Sequence, residues 1–549
     1  MCRYALPSSR KKQLTVPTDC TYLPYSDTGY FTPLILDYLK QDEHLSEFYR
    51  YTPDAKGLEQ AIADRQKFPV NRKALVDILT KQYSELPAYE AVAENIKLLG
   101  NDNTFTICTA HQPNLLTGYL YFVYKIVHAI KLAEELKGKH PDKNFVPVYY
   151  IGSEDNDLEE LGVFRYEGKK FVWDAAGQTG AVGRMDTKSL KKLLDELFKV
   201  MGPPGVHLQK LKETLTTAYL KHKNIADATQ YLVNELFGQY GLIALNADEP
   251  EFKKAILPIL KDDLLQHGAH PLVDEQIKKL EQHYKSQAYP RPINLFYLKD
   301  NIRERIEKNG DVWEVLNTDI KFNEQDLLVE LETHPERFSP NVILRGIFQE
   351  SILPDVAFIG GGAEVAYWLQ LKPAFDKYNV FYPAVLLRQS VLWVNKREHE
   401  LREKLDLSVA DTFLPQHELE KEYVARHSKD NWQTGKEAIA MEQLMTGLKT
   451  KAIALDTTLQ GAADAALAKM KKQMDVLEKK MLRAEKRKMN VDLERIQRLL
   501  TEIFPDGSLQ ERKDNFMAWY LRYGQEYFDI LKQSIQPLRH EFLVLEEVA

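Results

Sequence analysis

Residues 104–160 read TFTICTAHQPNLLTGYLYFVYKIVHAIKLAEELKGKHPDKNFVPVYYIGSEDNDLEE, and the order of patterns within them decides the fold. The apolar run TFTICTA predicts a buried strand, and the polar stretch from His111 to Gly118 predicts a loop. An amphipathic helix follows, and FVPVYYI then predicts a second strand that ends in Glu154-Asp155-Asn156-Asp157. A strand, helix, parallel-strand crossover is right-handed and brings both loops to the carboxyl edge of the sheet, where open α/β folds bind ligands.

The same strand-to-turn form recurs downstream. GLIALNADEP (241–250) predicts a strand running into an acidic loop, and VAFI followed by Gly360-Gly361-Gly362 predicts a third strand-to-helix turn. AVLLRQSVLWV (384–394) reads as one further strand leading away from the sheet. Residues 31–99 carry helical apolar spacing, and VFRYEGKKFVWD (163–174) reads as a hairpin around Glu-Gly-Lys-Lys. INLFYLKDNIRERIE (293–307) and DVWEVLNTD (311–319) predict short strands with turns. The expected organisation is an α/β core over 1–394, with inserts at about 162–236 and 249–339.

Beyond residue 394 the pattern changes. Leu467, Met470, Met474, Leu477, Met481, Ala484, Lys488 and Val491 step by alternating threes and fours, a heptad seam within a helical domain spanning 395–514. Its partner is either an earlier helix, near 394–405 or 416–427, or a second chain. The tail 515–549 holds Phe516, Trp519, Tyr520, Tyr523, Tyr527 and Phe528, too aromatic for a free coil, and is expected to pack back on the body.

Composition narrows the function classes. A chain of 549 residues with 44% hydrophobic and 28% charged residues is an ordinary globular protein large enough for several subdomains. With 73 basic and 80 acidic residues it carries a formal charge of -7, so nothing global demands nucleic acid. No apolar stretch approaches the roughly 18–20 residues of a membrane helix, and MCRYALPSSRKKQL is followed by no apolar h-region, so a cytoplasmic protein is expected. Cys2, Cys20 and Cys108 are too few and too scattered for a disulfide framework or a zinc knuckle, and no metal ligand set is assigned.

Three loops carry the candidate chemistry. In the first, Pro113 fixes a turn, Thr117 can cap the next helix and Gly118 lets a ligand approach the backbone, so the helix amino terminus should favour an anion. His111, Gln112 and Asn114 add side-chain hydrogen-bonding groups; the blander alternative is that His111 and Gln112 only satisfy a turn. In the second, Glu154, Asp155 and Asp157 could hold an amine, a ribose hydroxyl or Mg²⁺, or supply a base; alternatively Asp157 simply caps the next helix. In the third, Gly360, Gly361 and Gly362 would allow a backbone path closed to other residues and make room for a sugar or adenine, with Glu364 and Tyr367 on the first helical turn. Asn341, Arg345 and Arg388 lie near it, and either guanidinium could clamp a carboxylate or phosphate, or form an ordinary ion pair. Cys108 is read as a buried apolar residue, not a nucleophile. The basic run from Lys469 to Lys488 is read as a solvated helix face.

The stretches 109–133, 146–161, 237–250, 289–298, 339–378 and 509–524 together resemble the bacillithiol biosynthesis cysteine-adding enzyme family, BshC. The first, TAHQPNLLTGYLYFVYKIVHAIKLA, has Ala110-His111 where that family commonly has Gly-Gln, and the second, VPVYYIGSEDNDLEEL, has Asn156 where it commonly has His. The resemblance implies a Rossmann-like core related to class I synthetases and nucleotidylyltransferases, a coiled-coil domain and a homodimer. It also implies the joining of L-cysteine to glucosaminyl malate. Amide formation needs an activated acyl group, so ATP or another nucleotide is expected, giving an acyl-adenylate that the sugar amine opens. In this scheme His111 and the helix after Thr117 stabilise phosphate, Asp155 or Asp157 binds an ammonium or accepts a proton, and Arg345 or Arg388 holds the malate carboxylates. Two rivals are a tRNA-binding or synthetase-like protein, disfavoured by the missing H-I-G-H and K-M-S-K-S sequences, and a non-catalytic coiled-coil protein.

Overall fold

The computed structural model describes residues 18–429 and 432–548. The amino-terminal basic stretch and Cys2 lie outside them. The chain divides into two compact units, one built on residues 30–393 and 508–545 and the other on residues 394–507.

At the centre of the first unit is a five-stranded sheet formed by β1 (Thr104–His111), β2 (Asn144–Ile151), β3 (Ile243–Asn246), β4 (Asp355–Gly360) and β5 (Ala384–Leu387). The strand order is β5-β4-β1-β2-β3 and every pairing is parallel. This is the doubly wound order, with its topological switch point between β1 and β4. β1 and β2 are buried along nearly their whole length, which is why both read as continuous apolar runs without alternation. α1 (Leu120–Lys139) makes the crossover between them and buries Phe122, Val123, Ile126, Val127 and Ile130. Lys137 and Lys139 in its last turn suit the negative end of the helix dipole.

Residues 31–99 form four short helices, two of them capped by side chains: Asp54 accepts from Gly57 N–H and Asn71 from Ala74 N–H. The first insert opens with the hairpin Val163–Tyr166 and Lys169–Val172, whose turn residues Glu167 and Gly168 both have positive φ, and continues as helices to Phe237. The second insert holds an antiparallel five-stranded sheet in which Leu295–Lys299, Ile302–Asn309 and Val312–Val315 form a meander. One expectation fails: residues 384–394 are two strands, not one. β5 stays in the parallel sheet, whereas Val391–Val394 joins Thr18–Pro24 and Glu541–Glu547 in a separate three-stranded sheet. The chain leaves the first sheet because Gln389 N–H donates to His128 Nδ1, while Ser390 Oγ and Val391 N–H both donate to Glu511. After residue 515 the helices Met517–Tyr523 and Glu526–Ser534 carry the tail's aromatics, and Phe516, Tyr527 and Phe528 are fully buried in the core.

In the second unit the heptad helix α6 (Gln460–Lys488) pairs antiparallel with α5 (Gly435–Leu455), and α4 (Gln416–His427) meets its carboxyl-terminal end. Lys449–Asp464 at 2.6 Å, Lys471–Glu442 at 2.7 Å and Lys486–Glu420 at 2.6 Å tie these helices together. The seam is only half used: Leu467, Met474 and Met481 are half-buried, whereas Met470, Leu477 and Val491 are exposed. The main partner is therefore α5, a helix the sequence reading did not single out, although Ala438, Met441, Met445, Leu448, Ala452 and Leu455 step along it by threes and fours. Among the described residues no helix is long and apolar enough to cross a membrane.

Below the sheet's ligand-binding edge, Glu350 and Asp355 lie buried beside Arg65, with Thr106 Oγ1 donating to Asp355 and Gln349 Nε2 to Glu350 at 2.8 Å. Burial, and for Glu350 the neighbouring charge of Asp355, push both carboxyls up, Asp355 to about 6, so the pair retains a proton while one charge balances Arg65. The folded state thus holds a proton that the unfolded chain releases near pH 4, and stability falls as pH rises from there through the folded values. Glu350→Gln mimics the protonated acid. It is expected to remove about 1–3 kcal/mol of the stability loss between pH 5 and pH 8, measured by urea unfolding at both.

Candidate active site

Register brings the site together. His111 pairs with Ile151, Ile151 with Asn246, Ile359 with Thr109 and Gly360 with Leu387, so all five strands end at one level. The residues just beyond those ends, together with Arg303 and Arg512, enclose a cavity of about 390 Å³ at the switch point. Its volume is that of a site for a small molecule.

One wall is cationic. Arg345, one turn into α2 (Val342–Ile352), is half-buried; it donates to Tyr367 Oη and lies 5.9 Å from the Tyr150 ring centre. Arg388 follows β5 and makes a buried two-pronged pair with Glu511, at 2.7 and 2.6 Å, which leaves its Nε as a buried donor without a partner. Lys125 reaches up from α1 to donate to Ala110 O at 3.1 Å and to pair with Glu364. Burial lowers its pKa and Glu364 opposes that shift. Two helix amino termini point here as well: α2, whose first residues Asn341 and Val342 line the cavity, and α3 (Gly362–Tyr378), whose Gly362 and Ala363 do. His111 sits between, its ring edge-on to Tyr121 and Phe122 and its Nε2 buried without a partner. Burial and then the charges of Lys125, Arg345 and Arg388 hold its pKa well below the ordinary imidazole value, so His111 is neutral at pH 7.

The opposite wall is acidic, and each acid has a partner. Glu154 pairs with fully buried Lys253 at 2.6 Å and accepts from Ser339 Oγ at 3.0 Å. Asp155 accepts from Gln112 Nε2 at 2.8 Å and lies 3.6 Å from Arg303, whose guanidinium stacks 3.9 Å from the Phe296 ring centre. Asp248 takes both prongs of Arg184 at 2.7 and 2.6 Å. Asp155 keeps a third of its side chain exposed, more than Glu154 or Asp248, and is the acid most open to a ligand.

Of the residues singled out in the sequence, His111, Gln112, Glu154, Asp155, Asn341, Arg345, Gly361, Gly362, Glu364, Tyr367 and Arg388 line this cavity. Five do not. Asp157 is an exposed cap that accepts from Glu160 N–H, the blander of the two readings given for it. Thr117 does not cap α1, whose cap residue is Tyr119; with Leu116 and Gly118 it makes a tight positive-φ turn, and Asn114 is buried beneath Gly118. At the amino terminus of α1, Leu120 N–H donates to Asp514 O at 2.9 Å, which takes that donor. Gly360 ends β4 and packs against Phe358 and Glu364. None of Gly360, Gly361 and Gly362 has positive φ, so the backbone path there is ordinary, and their missing side chains matter only as space. Asn341 and Glu364 reach the cavity but serve as helix caps: Asn341 Oδ1 accepts from Ile343 N–H, and Glu364 from Gly361 N–H. Cys108 is fully buried and its thiol is pushed up by burial and by Asp355, so it is no nucleophile.

Two family models match the chain: the BshC N-terminal Rossmann-like domain of bacillithiol biosynthesis over residues 18–389, and the BshC C-terminal coiled-coil domain over residues 391–547. The chain belongs to the BshC family. Among curated relatives, a protein of Christiangramia forsetii is 42% identical over 544 residues, covering 96% of this chain and 99% of the relative. One of Flavobacterium johnsoniae is 41% identical, covering 96% and 100%, and one of Bacillus thuringiensis is 26% identical, covering 90% and 94%. Each of the three bears the name "Putative cysteine ligase BshC".

Four charged cavity residues of this BshC-family chain escaped the sequence reading: Lys125, Asp248, Arg303 and Arg512. Lys125 left a signal, since YFVYKIVHAI places it on a helix flanked by apolar residues on every side, where a lysine has no route to solvent. Asp248 stands in the acidic loop already noted after GLIAL. Arg303 and Arg512 left none, because each is one charged residue in a charged segment. Among the described residues no group of three or more His, Cys, Asp or Glu side chains is placed to hold a metal ion.

Proposed function

We propose that this cavity joins the carboxyl group of L-cysteine to the amine of glucosaminyl malate, forming bacillithiol. The observation that carries the reading is the charge division of one small cavity at the switch point: guanidinium groups and two helix amino termini on one wall, a ligand-accessible carboxylate on the other. A substrate bearing both a dicarboxylate and an amine matches that division.

Arg345, the free Nε–H of Arg388 and the amino-terminal ends of α2 and α3 at Val342, Gly362 and Ala363 form the anion seat, which suits the malate carboxylates or a phosphate. ATP or another nucleotide would supply the activation that turns a carboxylate oxygen into a leaving group. The orphaned Arg388 donor and the side-chain-free Gly361 and Gly362 fit such a group, and the same wall would hold it. The acids do not form a ready Mg²⁺ seat, since Glu154, Asp155 and Asp248 are each engaged by a cation or amide. Asp155 orients the attacking amine and takes up its proton, and Gln112 holds the carboxylate in place. Neutral His111 contributes a hydrogen bond but no charge, and with Tyr121 and Tyr150 it keeps water from the reacting groups.

Deleting the gene and measuring the thiol pool by mass spectrometry tests the reading. Accumulated glucosaminyl malate without bacillithiol supports it, and an unaltered pool rejects it. In the purified protein, Asp155→Asn is expected to reduce product formation by about 10²–10⁴-fold. Unchanged turnover would remove this carboxylate from the scheme.

The same reading takes the chain as a homodimer in the cytoplasm. Leu444, Leu448 and Leu455 are exposed along one face of α5, an apolar stripe suited to a second copy. Light scattering should give twice the chain mass for the native protein and the single-chain mass for Leu444→Glu/Leu448→Glu.

A further inference from the structure

The segment Gln510–Asn515, about 120 residues after β5 in sequence, is bound at four successive points to the loops that form the cavity. Gln510 clamps the backbone of Trp393 from both sides, Oε1 accepting from its N–H at 3.1 Å and Nε2 donating to its carbonyl at 3.0 Å. Glu511 is 1% exposed, and besides the Arg388 guanidinium it accepts from Ser390 Oγ at 3.2 Å and Val391 N–H at 3.4 Å. Asp514 O receives Leu120 N–H, and Asn515 Nδ2 donates to Leu116 O at 2.8 Å and to Gly118 O at 2.6 Å. Between these anchors Arg512 is exposed and lines the cavity, on the same side as Arg388 and Tyr121.

We propose that this strap is a working part of the site: Glu511 is a positioning residue that aims Arg388, and Arg512 is a specificity-determining cation for a dicarboxylate ligand. The geometry of Arg388 carries the first half. Glu511 occupies both terminal nitrogens of the guanidinium, which fixes its plane and leaves Nε–H, beside Gly361, as the donor turned toward the cavity wall. Charge carries the second half. Glu511 cancels Arg388 and Glu364 cancels Lys125, so with Arg345 alone the wall would hold one uncompensated cation. Arg512 makes it two, the number that a ligand with two carboxylates requires. The assignment deepens the reading above, because it names the residue that selects the doubly charged substrate.

Malate serves as the probe, titrated calorimetrically into the full-length protein. The wild type is expected to bind it, Arg512→Ala to weaken binding about tenfold with an unchanged thermal midpoint, and Arg512→Lys to recover part of the loss. Glu511→Gln is expected to weaken malate binding and lower the thermal midpoint, while Glu511→Asp, which keeps the charge, regains some of the affinity. In turnover the Arg512→Ala effect should fall on KM for the dicarboxylate substrate, with kcat and KM for cysteine within twofold of wild type. No malate binding by the wild type, or equal affinity in Arg512→Ala, overturns the assignment. A wild type that binds malate but never forms product from cysteine and glucosaminyl malate would reject the proposed reaction and leave the strap's role standing.

Discussion

Arg345→Met is expected to lower kcat/KM by about two to three orders of magnitude with the fold intact, the cost of deleting one preorganised charge from the site. Methionine matches the length of the arginine stem and fills its place, so the packing of α2 should survive. What disappears is a guanidinium already held by Tyr367 and Gln349, so little of its ordering has to be repeated when substrate binds. Arg345→Lys should recover only part of the activity, because an ammonium group cannot present two parallel donors. Steady-state kinetics together with circular dichroism checks this. Activity within threefold of wild type would place the anion elsewhere.

The second large effect is on stability. Lys253 is fully buried, pairs with Glu154, donates to Phe338 O at 3.0 Å and lies 4.8 Å from the Phe348 ring centre. Lys253→Met leaves the Glu154 carboxylate, only 15% exposed, without its counter-ion. The expected cost is about 3–5 kcal/mol in urea unfolding, because the desolvation of that charge is no longer offset. Pairing the change with Glu154→Leu should return most of it, since an apolar pair of similar volume is often as stable as a buried ion pair. If the double variant is no more stable than the single one, the loss came from packing around Phe348 and not from charge.

The sheet was legible because TFTICTA and FVPVYYI are buried on both faces, so their apolar runs have no gaps and their ends are marked by polar loops. Those ends supplied His111, Gln112, Glu154 and Asp155 to the cavity. One donor at the amino terminus of α1, Leu120 N–H, is taken by Asp514, nearly 400 positions away, and local pattern cannot register such a contact. The split of residues 384–394 into two strands was hidden for the same reason, since Glu511 and His128 turn the chain there. Asp157 and Gly360 fall outside the cavity for a different reason. Each has an ordinary structural use, as a cap or as space, that gives the same residue types as a ligand site.

The strap also sets when the enzyme becomes competent during its own synthesis. Four of the five strands of the parallel sheet, α1 and the cavity's first four loops are all encoded by residue 364 and can collapse as they leave the ribosome. Arg388, its counter-ion Glu511, and the ligands of Leu116, Gly118 and Leu120 are complete only after residue 515 has been translated. A nascent or prematurely terminated chain would therefore carry a folded half with an unbalanced guanidinium at its heart, and catalysis would switch on only when the last part of the message is read.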